Sequence, residues 1–133
     1  RTYMERAERL SEDPLQQLLI FVGLFEESLA ELTTSNAGCL FASYAYEAGL
    51  FDEATLSLIR RSVERWRERV REKLDEVVSR YSPRVEVDLD SLADLLWVIF
   101  EGGFILSRTT GDPAEVSIQL RQYRTYLRAL FSV

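Results

Sequence analysis

The chain has 133 residues, of which 47% are hydrophobic and 29% charged, a balance that is typical of one folded domain and that excludes a disordered chain. Its formal net charge of −6 argues against direct nucleic-acid binding, because phosphate contacts require a basic surface. The single cysteine, Cys39, excludes an internal disulfide framework, and the absence of histidine removes the usual zinc ligand and general base.

Helical periodicity and capping residues predict an all-α chain, with no convincing strand or repeat. The predicted helices cover residues 1–10, 14–32, 38–48, 52–81, 88–108 and 113–131. Asp13 is expected to cap the second helix, with Pro14 in its first turn, and Asp52 to cap the fourth. Asp112 is likewise expected to cap the last helix, which then begins at Pro113. We therefore predict a single domain over residues 1–133.

The long helix over residues 52–81 combines a narrow apolar stripe with a densely charged remainder. Its arginines resemble a nucleic-acid patch, but acids interleave with them throughout. The pairs Glu64–Arg67 and Glu68–Arg71 lie at helical contact spacing. The pattern therefore favours a solvated face rather than a phosphate-binding one.

The stretch Asp88–Arg108 has apolar side chains on two opposite sides at 100° per residue. One side carries Leu89, Leu92, Ala93, Leu96, Phe100, Gly103, Phe104 and Ser107. The other carries Leu95, Val98, Ile99, Gly102, Ile105 and Leu106. A helix that needs cover on both sides is either the central rod of a large bundle or a wall shared between a domain core and a partner chain. The length of 133 residues favours the shared wall. The pair Gly102-Gly103 indicates close approach of another backbone on each side, or alternatively a kink.

The last helix has a seam of small and apolar residues that fits beside the second face of Asp88–Arg108. We predict that the last two helices form a four-helix dimer interface with their symmetry mates. The residues assigned to this interface are Leu95, Ile99, Gly102, Leu106, Ile118, Thr125 and Ala129.

Aromatic residues on several helices suggest a site for a small hydrophobic ligand, since such sites are lined by bulky rings and a few hydroxyls. The predicted ligand-binding residues are Phe21, Phe25, Tyr44, Trp66, Phe100 and Phe104. The alternative is an ordinary aromatic core without a cavity.

Other reactive side chains give weaker indications. Cys39 in a first helical turn fits a redox sensor, but its apolar neighbours and the lack of a resolving cysteine favour a small buried residue. Acids in apolar helices suggest a metal cluster only if paired with histidines, which the chain lacks. These acids are Glu26, Glu27, Glu47 and Glu101. We predict no catalytic residue, no metal and no cofactor.

Several phrases resemble the C-terminal regulatory domain of TetR-family transcriptional repressors over Leu15 to Phe131. They are Gly38-Cys39-Leu40 opening an alanine-rich helix that ends at Glu47, Trp66 within ERWRERVREKL, Leu92-Ala93, Phe100–Gly103 and Asp112-Pro113. That family's N-terminal helix-turn-helix domain has no counterpart here, and residues 1–10 would correspond to the helix that follows it. We expect a repressor fragment; a stand-alone regulatory domain is the alternative.

The resemblance implies a six-helix regulatory bundle that binds a small hydrophobic effector, forms a homodimer and contacts DNA only through the missing N-terminal domain. It implies no enzymatic activity, and the chain shows no phosphate-binding or dinucleotide loop. No signal peptide or spanning stretch is recognisable, so a cytoplasmic location without membrane contact is expected. The alternative function is a ligand-free α-helical dimerisation or scaffold domain.

Overall fold

The computed structural model of the chain describes residues 2–31, 49 and 52–132. Its helices are α1 (Tyr3–Leu10), α2 (Pro14–Ala30), α3 (Glu53–Val78), α4 (Leu89–Thr110) and α5 (Glu115–Phe131). Within the described ranges every regular element is a helix, which confirms the all-α class. The predicted helix over residues 38–48 lies outside the described residues, so the count of six helices stays a prediction.

Four of the helices form a ring in which each packs against two neighbours. α2 contacts α3, α3 contacts α4, α4 contacts α5, and α5 contacts α2, while α1 lies against α2. The centre of the ring is filled by completely buried side chains from all four helices, among them Leu18, Val22, Leu74, Leu96, Leu120 and Leu127. Burial of such aliphatic side chains contributes about 1.5–3 kcal/mol each, so this core is the main source of stability.

The helix starts agree with the predicted caps at two positions and disagree at a third. The carboxylates of Asp13 and Asp52 accept hydrogen bonds from first-turn backbone N–H groups at 3.0 and 2.7 Å. The prediction for Asp112 is wrong, because α5 begins at Glu115 with Ala114 as its N-cap. Asp112 instead accepts a hydrogen bond from the N–H of Ala114 at 2.9 Å, and so closes a turn ahead of the helix.

The two apolar sides predicted for α4 are confirmed. Its buried side consists of Leu92, Ala93, Leu96, Phe100, Gly103 and Ser107. On the opposite side the large apolar residues are exposed: Leu95, Val98, Ile105 and Leu106. Ile99 differs from this second group, because it is half-buried and packs against the core.

The glycine pair of α4 faces two different environments. A Cβ atom on Gly103 would lie 3.0 Å from the Cα atom of Val116, so the α5 backbone approaches α4 closely at this point. A Cβ atom on Gly102 would meet no atom of the described ranges within 4 Å. The predicted close approach is therefore confirmed on the core side, at Gly103.

Candidate functional site

An open cavity of about 850 Å³ lies where α1, α2 and α3 meet. The first turn of α1 supplies Tyr3 and Met4, and the second half of α2 supplies Phe21, Phe25 and Leu29. The facing residues of α3 are Ser62, Arg65, Trp66, Arg69 and Val70, which recur at three- and four-residue spacing and so share one side of the helix. The volume is within the range of small-molecule sites.

The inner wall of the cavity is a cluster of aromatic rings. The ring centroid of Trp66 lies 5.4 Å from that of Phe21 and 5.5 Å from that of Phe25. Phe100 on α4 packs behind this wall, with its centroid 5.1 Å from Phe25 and 5.7 Å from Trp66. Most of these pairs meet edge to face, a geometry that adds stability beyond burial alone.

The indole N–H of Trp66 is buried and has no hydrogen-bond partner in the part of the chain that the structure describes. A buried donor without an acceptor costs about 1–3 kcal/mol, and such groups are rare in folded proteins. The aromatic wall therefore carries an unsatisfied polar group next to the cavity.

Helix α1 is held to the cavity by its first turn. The ring of Tyr3 packs edge-on against Phe25 at a centroid distance of 4.7 Å, and its hydroxyl is hydrogen-bonded to Ser28. Met4, on the same turn, is buried and also lines the cavity. Any molecule in the cavity would therefore contact α1 directly.

The second turn of α1 is fixed by a buried charge. Lys73 on α3 is 1% exposed, and its ammonium group donates to the Glu8 carboxylate at 2.8 Å and to the Gln17 side-chain oxygen at 2.6 Å. Arg69 also donates to Glu8, at 2.7 Å. Burial raises the pKa of the Glu8 carboxyl, but the hydrogen bonds from Lys73 and Arg69 outweigh that effect and place the pKa below its usual value. This network, which joins α1, α2 and α3, is absent from the sequence predictions.

The ring residues predicted to bind ligand occupy different positions. Phe21, Phe25 and Trp66 line the cavity, while Phe100 supports the wall through ring contacts with two of them. Phe104 packs against the hydrophobic core, and in the described part of the chain it does not line this cavity. Tyr44 lies outside the described residues, as does Cys39.

The residues predicted for the dimer interface lie on the outer side of α4 and α5. Leu95, Gly102, Leu106, Ile118, Thr125 and Ala129 are all exposed, and Ile99 is half-buried. Val98 and Tyr126 add further exposed apolar surface on the same two helices. The dimer itself stays a prediction.

Two arginines of α3 form ion pairs with acids of α4. Arg67 pairs with Asp94 on α4 at 2.6 Å, and Arg71 pairs with Asp75 and with Asp90. Glu64–Arg67 and Glu68–Arg71 lie at contact spacing within the helix, but among the described residues these arginines pair with other acids. Part of the charged face of α3 is used to hold α4.

Glu26, one of the acids considered for a metal cluster, is largely buried on α2 and bridges to α5. Its carboxylate accepts hydrogen bonds from Arg121 at 2.9 Å and from Arg124 at 3.0 Å. Among the residues that the structure describes, no group of three or more acids and thiols is placed to hold a metal ion. In the same ranges, no helix has the length and apolarity needed to cross a membrane.

The comparisons with known proteins give a family assignment. A family model described as "Tetracyclin repressor-like, C-terminal domain" matches residues 14–123. No curated protein and no solved structure matches the chain. The matched family consists of regulatory domains and is not enzymatic. The matched range includes most of the cavity wall and all of α4. The chain therefore belongs to the tetracycline repressor-like C-terminal domains.

Proposed function

We propose that this domain binds a small hydrophobic effector in the cavity between α1, α2 and α3. In this proposal the domain dimerises through α4 and α5, and it passes the state of the cavity to an N-terminal DNA-binding domain of a transcriptional repressor. The observation that carries the proposal is the 850 Å³ cavity, whose inner wall is formed by Phe21, Phe25 and Trp66.

The lining of the cavity supports an apolar ligand. Aromatic and aliphatic side chains from two helices form its inner wall, and hydroxyls and charged groups lie around them. The buried indole N–H of Trp66 is a donor that a ligand oxygen would satisfy after a small movement of the ring. Membership of a regulatory family supports the same conclusion.

The position of α1 supports the proposed relay. Its first turn, with Tyr3 and Met4, lines the cavity, and its second turn is bound to Lys73 through Glu8. An effector that contacts α1 differently from water shifts the equilibrium between α1 positions by the difference in its affinity for them. In the proposal, this shift changes the separation of two DNA-binding units in the dimer.

The test of ligand binding uses three ten-carbon probes: 1-decanol below its solubility limit, and decanoate and decylamine below their critical micelle concentrations. We expect at least one to raise the melting temperature of the domain. At a concentration a hundredfold above its dissociation constant, a probe adds roughly 2.7 kcal/mol to the free energy of unfolding. Quenching of tryptophan fluorescence should accompany the stabilisation, because Trp66 lies in the wall.

A cavity-filling variant locates the binding. Ser62 lines the cavity, so Ser62→Phe should abolish the thermal shift, whereas Glu64→Phe on another side of α3 should retain it. A wild-type domain that none of the probes stabilises contradicts the proposal, and so does a Ser62→Phe variant with an unchanged response. Those results favour the alternative, a ligand-free dimerisation or scaffold domain.

A further inference from the structure

The polar side chains that line the cavity are mostly committed to contacts within the chain. The Thr2 hydroxyl accepts from the N–H of Glu5 at 3.2 Å, and the Ser62 hydroxyl donates to the carbonyl oxygen of Leu58 at 3.0 Å. The hydroxyl of Ser28 is hydrogen-bonded to that of Tyr3. The Thr2 hydroxyl caps α1, that of Ser28 joins α2 to α1, and that of Ser62 bonds within α3, so these groups contribute little to the choice of a ligand.

The two arginines at the cavity differ in their ion pairs. Arg69 donates to Glu8 at 2.7 Å and lies 3.6 Å from a carboxylate oxygen of Glu72, so its charge is compensated. Arg65, one helical turn earlier, has no ion pair and no hydrogen bond in the ranges that the structure describes. In a chain with a formal net charge of −6, Arg65 is a cation without an ion pair at the edge of an apolar cavity. The lining also includes one acid, Glu5, which has an interaction of its own.

We infer that the effector is an amphipathic anion, with an apolar body against the aromatic wall and a carboxylate bound by Arg65. A guanidinium group is always charged near neutral pH, and it offers parallel N–H donors that match the two oxygens of a carboxylate. Arg65 directly precedes Trp66 in α3, so a single extended molecule reaches both the cation and the ring cluster. This inference rests on the proposed ligand cavity and adds the chemical class of its ligand.

The test measures the affinity of the same three probes by isothermal titration calorimetry. They share a ten-carbon chain and differ in the charge of the head group, so a difference between them reports on the polar end of the site. We expect decanoate to bind more tightly than 1-decanol, and decylamine to bind most weakly. Higher salt should weaken the binding of decanoate and leave that of 1-decanol unchanged, because only the former includes an exposed charge pair.

Arg65→Gln should weaken the binding of decanoate by about tenfold, because a hydrogen bond to a charged group is lost. The affinity for 1-decanol should not change. Arg60→Gln is the matched control: Arg60 is an exposed arginine of the same helix that does not line the cavity, and its variant should bind decanoate as wild type does. Equal affinities of wild type for decanoate and 1-decanol overturn the inference, as does an Arg65→Gln variant with full affinity for decanoate. In both cases the cavity itself still binds a ligand. If none of the probes binds wild type, the proposed function fails and this inference fails with it.

Discussion

The two sides of the helix ring differ in the kind of side chain that they bury: one side buries a charged group, and the other leaves apolar groups exposed. Where α1, α2 and α3 meet, a lysine that is 1% exposed is completely surrounded by partners from the same chain. On the outer side of α4 and α5, by contrast, Val98 is 59% exposed, and Leu106 and Ile118 are also exposed. The first side satisfies its buried ammonium group within one chain. The second leaves apolar side chains exposed to solvent, at a small cost in free energy.

The two sides differ in whether the chain itself supplies the contacts: it supplies acceptors to the buried ammonium group, but it leaves apolar side chains of α4 and α5 exposed. An ammonium group without acceptors in the core would cost several kcal/mol, so the chain must supply them. Exposed apolar surface costs only about 25 cal/mol per Å² and is tolerated until a partner covers it. We therefore expect substitutions on the first side to change the stability of the fold, and substitutions on the second to change association.

The largest effect is expected from a charge on the outer face of α4. In the proposed twofold interface, Leu106→Glu places two carboxylates out of water, and this should weaken the dimer by about a hundredfold or more. Light scattering at micromolar concentration should give a dimer for wild type and a monomer for the variant. Leu58→Glu, at another exposed leucine on α3, should leave the dimer intact. A monomeric wild type, or a dimeric Leu106→Glu variant, would show that the two sides do not differ in this way.

A smaller loss of stability is expected at Lys73. Lys73→Met removes the ammonium group between Glu8 and Gln17 and should lower the free energy of unfolding by about 2 kcal/mol, because Gln17 loses its donor and Glu8 keeps only Arg69. Urea unfolding measures this loss. The control Glu76→Gln removes an exposed partner of Lys73 and should cost less than about 1 kcal/mol. Equal losses in the two variants would contradict the role assigned to the buried network.

The acid dependence of stability should change with the same substitution. The pKa of Glu8 is lowered in the fold, so the ionised carboxylate stabilises the protein above about pH 4.5, the ordinary pKa of a glutamate side chain. That contribution is lost as the pH falls through the lowered pKa, and Lys73→Met should reduce the part of the loss that comes from this pair.

The smallest effects are expected at the glycine pair of α4. Gly103→Ala should lower the free energy of unfolding by about 1–2 kcal/mol, because the new methyl group meets the α5 backbone at Val116. The methyl group of Gly102→Ala meets no atom of the described residues within 4 Å, so this substitution should raise the free energy of unfolding by up to about 1 kcal/mol through helix propensity. Urea unfolding in the monomeric Leu106→Glu background compares the two without a contribution from association. The opposite order would mean that the core side of α4 has been assigned to the wrong glycine.

Much of the scaffold follows from local sequence signals. The two faces of α4 follow from periodicity alone, because side chains four residues apart share a side of a helix whatever lies around it. The caps at Asp13 and Asp52 are local as well. The cap at Asp112 fails because the same carboxylate also fits a turn, and the choice depends on where α5 docks.

The cavity and its polar groups depend on contacts that sequence spacing does not reveal. Lys73 lies within a run of charged residues and has the appearance of a surface side chain. Its acceptors Glu8 and Gln17 lie 65 and 56 residues away in the chain. The ring residues were accessible to prediction as a set, since bulky rings on several helices indicate a core. Which rings face a cavity is decided by packing, and the contribution of α1 through Tyr3 and Met4 had no clear signal in the sequence.

Lys73 has a consequence for the chemistry of the whole chain, because it is the only lysine in the sequence. The chain's positive charge is otherwise carried by arginines, so Lys73 is its only side-chain amine. In the folded domain this amine is buried and ion-paired with Glu8 of α1, so separation of α1 from α3 would expose it to acylating reagents. The rate of its modification is therefore a built-in measure of how often that helix opens, and occupancy of the neighbouring cavity can be followed through it without any engineered label.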